Sequence, residues 1–111
     1  MIARIWTAEA SPANGQAYAA HFASHVVPAV QAVQGFAGAL LLTQRAGDAV
    51  RIQVITFWES LDAVRGFAGP DVTAAVVADA ARRLLTSFET SVRHFDVVSA
   101  EFSKGETWWP T

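Results

Sequence analysis

Three histidines and a group of aromatic residues carry the side chains whose types and spacing suggest chemistry. His94 sits inside a short β-branched and aromatic run, with Asp96 two residues on and therefore on the same face of a strand. An imidazole steered by a carboxylate can take the proton of a phenol, the step that makes an electron-rich ring reactive toward oxygen. The plainer reading of His94 is a half-buried histidine tying the last strand to its neighbour. His21 and His25 are four apart and share a helix face. That spacing also suits a metal, but no Glu follows His21 in an H-E-x-x-H pattern and no third ligand stands out, so no metal is expected. His25 lies just before Pro28, where a helix must open, and is the second candidate base. Trp6 and Trp58 are candidate stacking walls for a flat aromatic ligand, with Tyr18, Phe22 and Phe67 closing over it from the helices. The same aromatics would equally fill a core.

Positioning these residues requires strands and helices in a definite order. Ile2 to Thr7 reads as a strand. Ser11-Pro12 supplies an N-cap and a proline at the first helical position, and Tyr18, Phe22 and Val26 then repeat along one helix face. Pro28 removes a backbone donor and clashes with the preceding turn, which predicts a kink near Ser24 or a break with a short helix after it. Phe36 to Arg45 and Val50 to Trp58 read as strands joined by the hairpin signal Ala46-Gly47-Asp48. Both are apolar on nearly every central residue, as sheets covered on two faces are. Ser60 is placed to cap a helix that Gly69-Pro70 ends. The alanine-rich stretch Asp71 to Phe88 predicts one or two short helices, and Val92 to Ser99 the last strand. The order is β-α-β-β-α-β, an α+β ferredoxin-like plan with helices on one face of an antiparallel sheet. It forms one domain, residues 1–100, followed by a tail, 101–111.

Composition narrows the function classes. The apolar fraction is 52% and the charged fraction 16%, against about 25% charged in ordinary soluble domains. So few charges imply a further buried face, and hence a homodimer. The eight Lys and Arg residues are scattered, without the basic stripe that phosphate neutralisation needs, so no nucleic-acid partner is expected. No cysteine is present, which removes disulfides, thiolate zinc sites and thiol nucleophiles. Neither a signal peptide nor an apolar run of about 18 residues is evident, so the expectation is a cytoplasmic protein without a membrane partner. Trp108-Trp109 in the tail are expected to dock on the domain or on a second copy, because exposed indoles are costly at roughly 25 cal/mol per Å².

The stretches Ala3-Arg4-Ile5-Trp6, Pro28, Gly35-Phe36-Ala37-Gly38, Thr56-Phe57-Trp58-Glu59-Ser60 with Phe67-Ala68-Gly69-Pro70-Asp71, and Val92-Arg93-His94-Phe95-Asp96-Val97 stand out together. They resemble the antibiotic biosynthesis monooxygenase (ABM) family of dimeric α+β barrel proteins. The resemblance implies a dimer whose sheets face each other, with a pocket in each subunit between sheet and helices. It implies oxidation of a small phenolic or polycyclic aromatic compound with oxygen and no cofactor. A haem-degrading branch of the same family has an Asn after the first strand, a Trp in the second helix and a His beyond it. This chain has Thr7, Phe67 and Val77 at those positions, which argues against haem degradation of that type. The alternative to an oxygenase is a non-catalytic dimer of the same fold that binds a small ligand or acts as a scaffold.

Overall fold

A computed structural model describes residues 1–102. Five strands form one antiparallel sheet: β1 (Ile2–Ala10), β2 (Phe36–Ala46), β3 (Ala49–Trp58), β4 (Ser87–Phe88) and β5 (Arg93–Asp96). The order across the sheet is β2-β3-β1, with β4 and β5 sharing the far edge of β1. Among the described residues the helices are α1 (Pro12–His21), α2 (Val27–Gln31), α3 (Leu61–Ala68) and α4 (Asp79–Arg82). With the helices on one face, this is the α+β ferredoxin-like arrangement.

The helix starts follow the residues expected of them. The Ser11 hydroxyl accepts from the Asn14 amide at 3.2 Å with Pro12 behind it, and Ser60 accepts from Ala63 at 3.1 Å. Between β2 and β3 a two-residue turn places Gly47, at φ 62°, first in the loop, the backbone a type II′ hairpin requires. Pro28 acts as expected but through a wider coil. Residues Phe22–Val26 form one π turn in which the Val27 amide reaches the Phe22 carbonyl, so α1 and α2 run on as a single bent helix. A π turn absorbs the extra residue where proline cannot donate.

Alternation along β1 puts Ile2, Arg4, Trp6, Ala8 and Ala10 under the helices, and Ala3, Ile5, Thr7 and Glu9 on the uncovered face. Val54, Thr56 and Trp58 face the helices from β3. Two apolar clusters result. One joins Trp6, Tyr18, Phe22, Ile52 and Val54 beneath α1, and the other joins Val30, Trp58 and Val64 beneath α2 and α3. The uncovered face carries Leu40, Ile55 and Ile5 side by side across β2, β3 and β1, flanked by Phe57 and the half-exposed Phe95.

Two stretches differ from expectation. The last strand covers only Arg93–Asp96, and a further short strand, Ser87–Phe88, lies before it at the end of the stretch expected to be helical. Between them the Glu89 amide donates to the Thr7 carbonyl at 3.0 Å, and the Glu89 side chain accepts from the Thr7 amide and hydroxyl at 3.1 and 2.5 Å. The alanine-rich segment holds only the four-residue α4 among helices. Its earlier part runs extended beside residues 90–92, with Ala75 and Val92 donating to Thr90 and Thr73 at 2.9 and 2.8 Å. Alanines offer a helix little apolar side chain to bury, and the carbonyls of Val72 and Ala74 are taken by the Arg4 side chain. The expected docking of Trp108-Trp109 lies outside the described residues.

Candidate functional site

A cavity of about 240 Å³ opens between the sheet and the bent helix. Its floor is strand: Arg4 and Trp6 from β1, Val54 and Thr56 from β3. Tyr18, His21 and His25 reach it from the bent helix, Phe67 from α3, and Val76 and Val77 from the segment before α4. Its lining is mostly apolar, with a few polar groups placed among aromatic rings, as small-molecule sites are built.

Each aromatic wall is held. The Trp6 indole donates to the Glu89 carbonyl at 2.8 Å, which fixes the ring beside Tyr18 at 6.0 Å between centroids. Burial pushes the Tyr18 phenol up to about 12, which keeps it protonated and able to donate a hydrogen bond. Trp58 does not reach the cavity. It is fully buried, with its indole N–H on the Thr56 hydroxyl at 2.8 Å and its ring between Phe36 and Phe67. Phe22 likewise packs into the core where the π turn begins. The stacking-wall reading of Trp58 and Phe22 therefore gives way to core packing: both are large rings on inward-facing positions with no open space beside them.

The two helix histidines come together on the cavity wall. Their rings stack at 5.0 Å with planes 11° apart, and His21 lies 5.8 Å from the Tyr18 ring. The π turn sets this overlap, since His25 lies within it. The Ser24 hydroxyl is 2.8 Å from His25 Nδ1. Burial, and secondly the like charge of His25, hold His21 below the ordinary histidine value, which favours the neutral imidazole. Among the described residues no group of three His, Cys, Asp or Glu side chains is placed to hold a metal ion.

His94 faces the helix side from β5, opposite Arg4 on β1, but its partner is not Asp96. Its Nε2 lies 3.1 Å from Arg4 Nη1. A guanidinium can only donate, so Nε2 accepts and the ring proton sits on Nδ1. Burial first, then the Arg4 charge, hold the His94 pKa down. With its lone pair committed to Arg4, His94 is a structural tie between the two strands and does not line the cavity.

Two cavity groups escaped the sequence reading. In the sequence His21 reads as a surface histidine or as half of a helix-face pair with His25, and nothing there marks it as a base. Arg4 was counted among scattered charges, although period-two alternation in Ile2-Ala3-Arg4-Ile5-Trp6 already puts it on the Trp6 face. The same alternation puts Thr7 on the opposite face, so it is Trp6 that β1 presents to the cavity.

No family profile matches the sequence. No curated protein matches it either. Solved structures do. The haem degrader MhuD of Mycobacterium tuberculosis, with two haems bound in its active site, is 31% identical over 92% of this chain and 100% of its own, with a TM-score of 0.62. A Streptomyces coelicolor monooxygenase from ActVA-Orf6, in complex with nanaomycin D, is 19% identical over 91% of this chain and 90% of its own, with a TM-score of 0.65. SnoaB of Streptomyces nogalater, a cofactor-independent oxygenase, is 21% identical over 89% of this chain and 94% of its own, with a TM-score of 0.61. With nearly the whole domain matched, the chain belongs to the antibiotic biosynthesis monooxygenase family.

Proposed function

We propose that the protein is a monooxygenase that uses no bound cofactor and oxidises a small phenolic or polycyclic aromatic compound with molecular oxygen. The observation that carries this reading is the cavity: aromatic walls with a stacked imidazole pair on one side. SnoaB, of the same fold, is a cofactor-independent oxygenase. The volume, about 240 Å³, falls just below the roughly 300–1,000 Å³ usual for ligand pockets and suits a compact ring system.

The bound phenol gives its hydroxyl proton to a neutral imidazole of the His21–His25 pair, leaving a phenolate. A ring carbon of the phenolate passes one electron to oxygen, and the radical pair closes a C–O bond. The peroxide so formed takes the proton back from the imidazolium. The imidazole then removes the hydrogen on that carbon, the O–O bond breaks, a carbonyl forms, and hydroxide leaves with the proton as water. Phenol and oxygen thus give a quinone and water, with every electron supplied by the substrate. Tyr18, kept protonated, donates to the developing oxyanion.

The same reading seats a second copy on the uncovered sheet face, where Leu40, Ile55 and Ile5 lie in one row. The likeness to MhuD favours a second reading, haem as the ligand. Phe67 and Val77 on the cavity wall count against it, since the haem-degrading branch has Trp and His there.

Oxygen uptake by the purified protein against anthrones, naphthols and hydroquinones tests the proposal. Protein-dependent uptake is expected, falling roughly 10²–10⁴-fold in the His21→Ala/His25→Ala double variant. No uptake above the uncatalysed rate, with tryptophan quenching by a panel member, would establish the non-catalytic binding dimer instead. A Soret shift on titration with haem would establish the haem reading.

A further inference from the structure

Arg4 is the one group in the cavity whose charge the described residues leave unanswered. It is 4% exposed, in the middle of the central strand. Its guanidinium donates to the Val72 carbonyl at 2.5 Å and the Ala74 carbonyl at 2.7 Å, and lies 3.1 Å from His94 Nε2. The Phe67 ring lies 5.8 Å from its central carbon. All of these partners are neutral. The ion pairs among the described residues join Arg51 to Glu9, Arg65 to Asp62 and Arg93 to Glu89, and none involves Arg4.

A buried cation without a counterion is costly, and pinning two carbonyls does not require a charge. A neutral donor of similar length would hold the Val72–Ala74 segment with less desolvation. The neutral tie to His94 also keeps the fork oriented without cancelling its charge. Three N–H bonds reach protein acceptors, which leaves the Nε hydrogen and one on Nη2 without a partner among the described residues. The Nε and Nη2 nitrogens share one edge of the fork, the edge a carboxylate bridges with two parallel bonds. Arg4 lines the cavity beside Trp6 and Phe67, so an aromatic ring and an attached anionic group can be held together.

We propose that Arg4 is the anion-recognising residue of the cavity and that the ligand is an aromatic carboxylate. This deepens the oxygenase reading by naming its substrate class, a hydroxylated aromatic acid, and it rests on the same cavity. It does not depend on turnover.

The test is anaerobic binding, followed by tryptophan quenching, of two probes that differ only in the acid: 1-hydroxy-2-naphthoate and 1-naphthol. The intact protein should bind the naphthoate roughly 10- to 100-fold more tightly, as a desolvated charge-assisted pair implies. Arg4→Gln should abolish the preference, and Arg4→Lys should keep part of it, since the charge remains and the fork is lost. Equal binding of the two probes by the intact protein, or binding of neither, overturns the proposal. So does a preference that survives in folded Arg4→Gln. Should that variant not fold, the comparison in the intact protein decides. The phenolate as the recognised anion is distinguished by 1-naphthol, whose hydroxyl would then titrate at lower pH when bound, with no gain from the carboxylate. A naphthoate preference without oxygen uptake would sink the oxygenase reading and leave this one standing.

Discussion

Replacing Ile55 with lysine should separate the dimer proposed through the uncovered sheet face while leaving each subunit folded. Ile55 sits at the centre of the uncovered face, opposite Leu40 on one side and Ile5 on the other. Fully burying such a side chain stabilises by about 1.5–3 kcal/mol. A two-fold interface counts each substitution twice, which gives about 3–6 kcal/mol before the desolvation of two ammonium groups is added. At 1.4 kcal/mol per decade, the dissociation constant should rise by roughly 10²–10⁴-fold. Within the subunit the site faces outward, so the free energy of folding of the monomer should move by less than about 0.5 kcal/mol. Sedimentation velocity over a dilution series, with circular dichroism for folding, reads both quantities. Leu61→Lys serves as the control, because Leu61 is exposed, at 38%, but lies on α3 in the helix layer. A parent protein that stays monomeric at every concentration would refute the reasoning. An Ile55→Lys dissociation constant no different from that of Leu61→Lys would refute it as well.

Gly35→Ala should destabilise by about 1–3 kcal/mol in urea unfolding. The residue sits at φ 92°, and an added Cβ would lie 2.5 Å from the Ala63 Cβ, so an unchanged midpoint would contradict the packing of β2 on α3. His21 and His94 both have folded pKa values below the ordinary 6.5, burial being the main cause. The unfolded chain therefore binds protons that the fold refuses. The stability they contribute is complete above about pH 6.5 and is lost as pH falls through the lower folded values. Thermal melts across pH 5 to 8 should show this decline on the acid side, and His94→Gln should remove part of it. Oxygen uptake should rise with pH along a limb whose midpoint is below 6.5, because the reacting imidazole must be neutral.

The order of elements was legible from local signals. Ser11-Pro12, Ser60 and Gly69-Pro70 mark helix ends through capping and proline geometry, and these effects need no distant partner. The apolar centres of β2 and β3 marked a sheet with one face under a helix layer and a second apolar face. The loss of one donor at Pro28 predicted a disturbance of the helix, and local chemistry alone located it. The family, too, was readable from the residues of β1, β3, α3 and the last strand.

Pairing over long distances decided the site. The residue in contact with His94 is determined by the register that sets Arg4 opposite it, ninety positions away, and not by Asp96 two residues along the chain. Trp58 and Trp6 look alike in the sequence, and both face the helices. One lies under α2 and α3 and is sealed, whereas the other lies under the bent helix and borders open space. The single π turn brings His21 and His25 into overlap, and no rule of spacing distinguishes that from an ordinary helical pair. Alternation could put Arg4 on an inner face. Only the tertiary structure shows that its charge meets carbonyls and an imidazole in place of a carboxylate, because a salt bridge depends on what packing brings within reach.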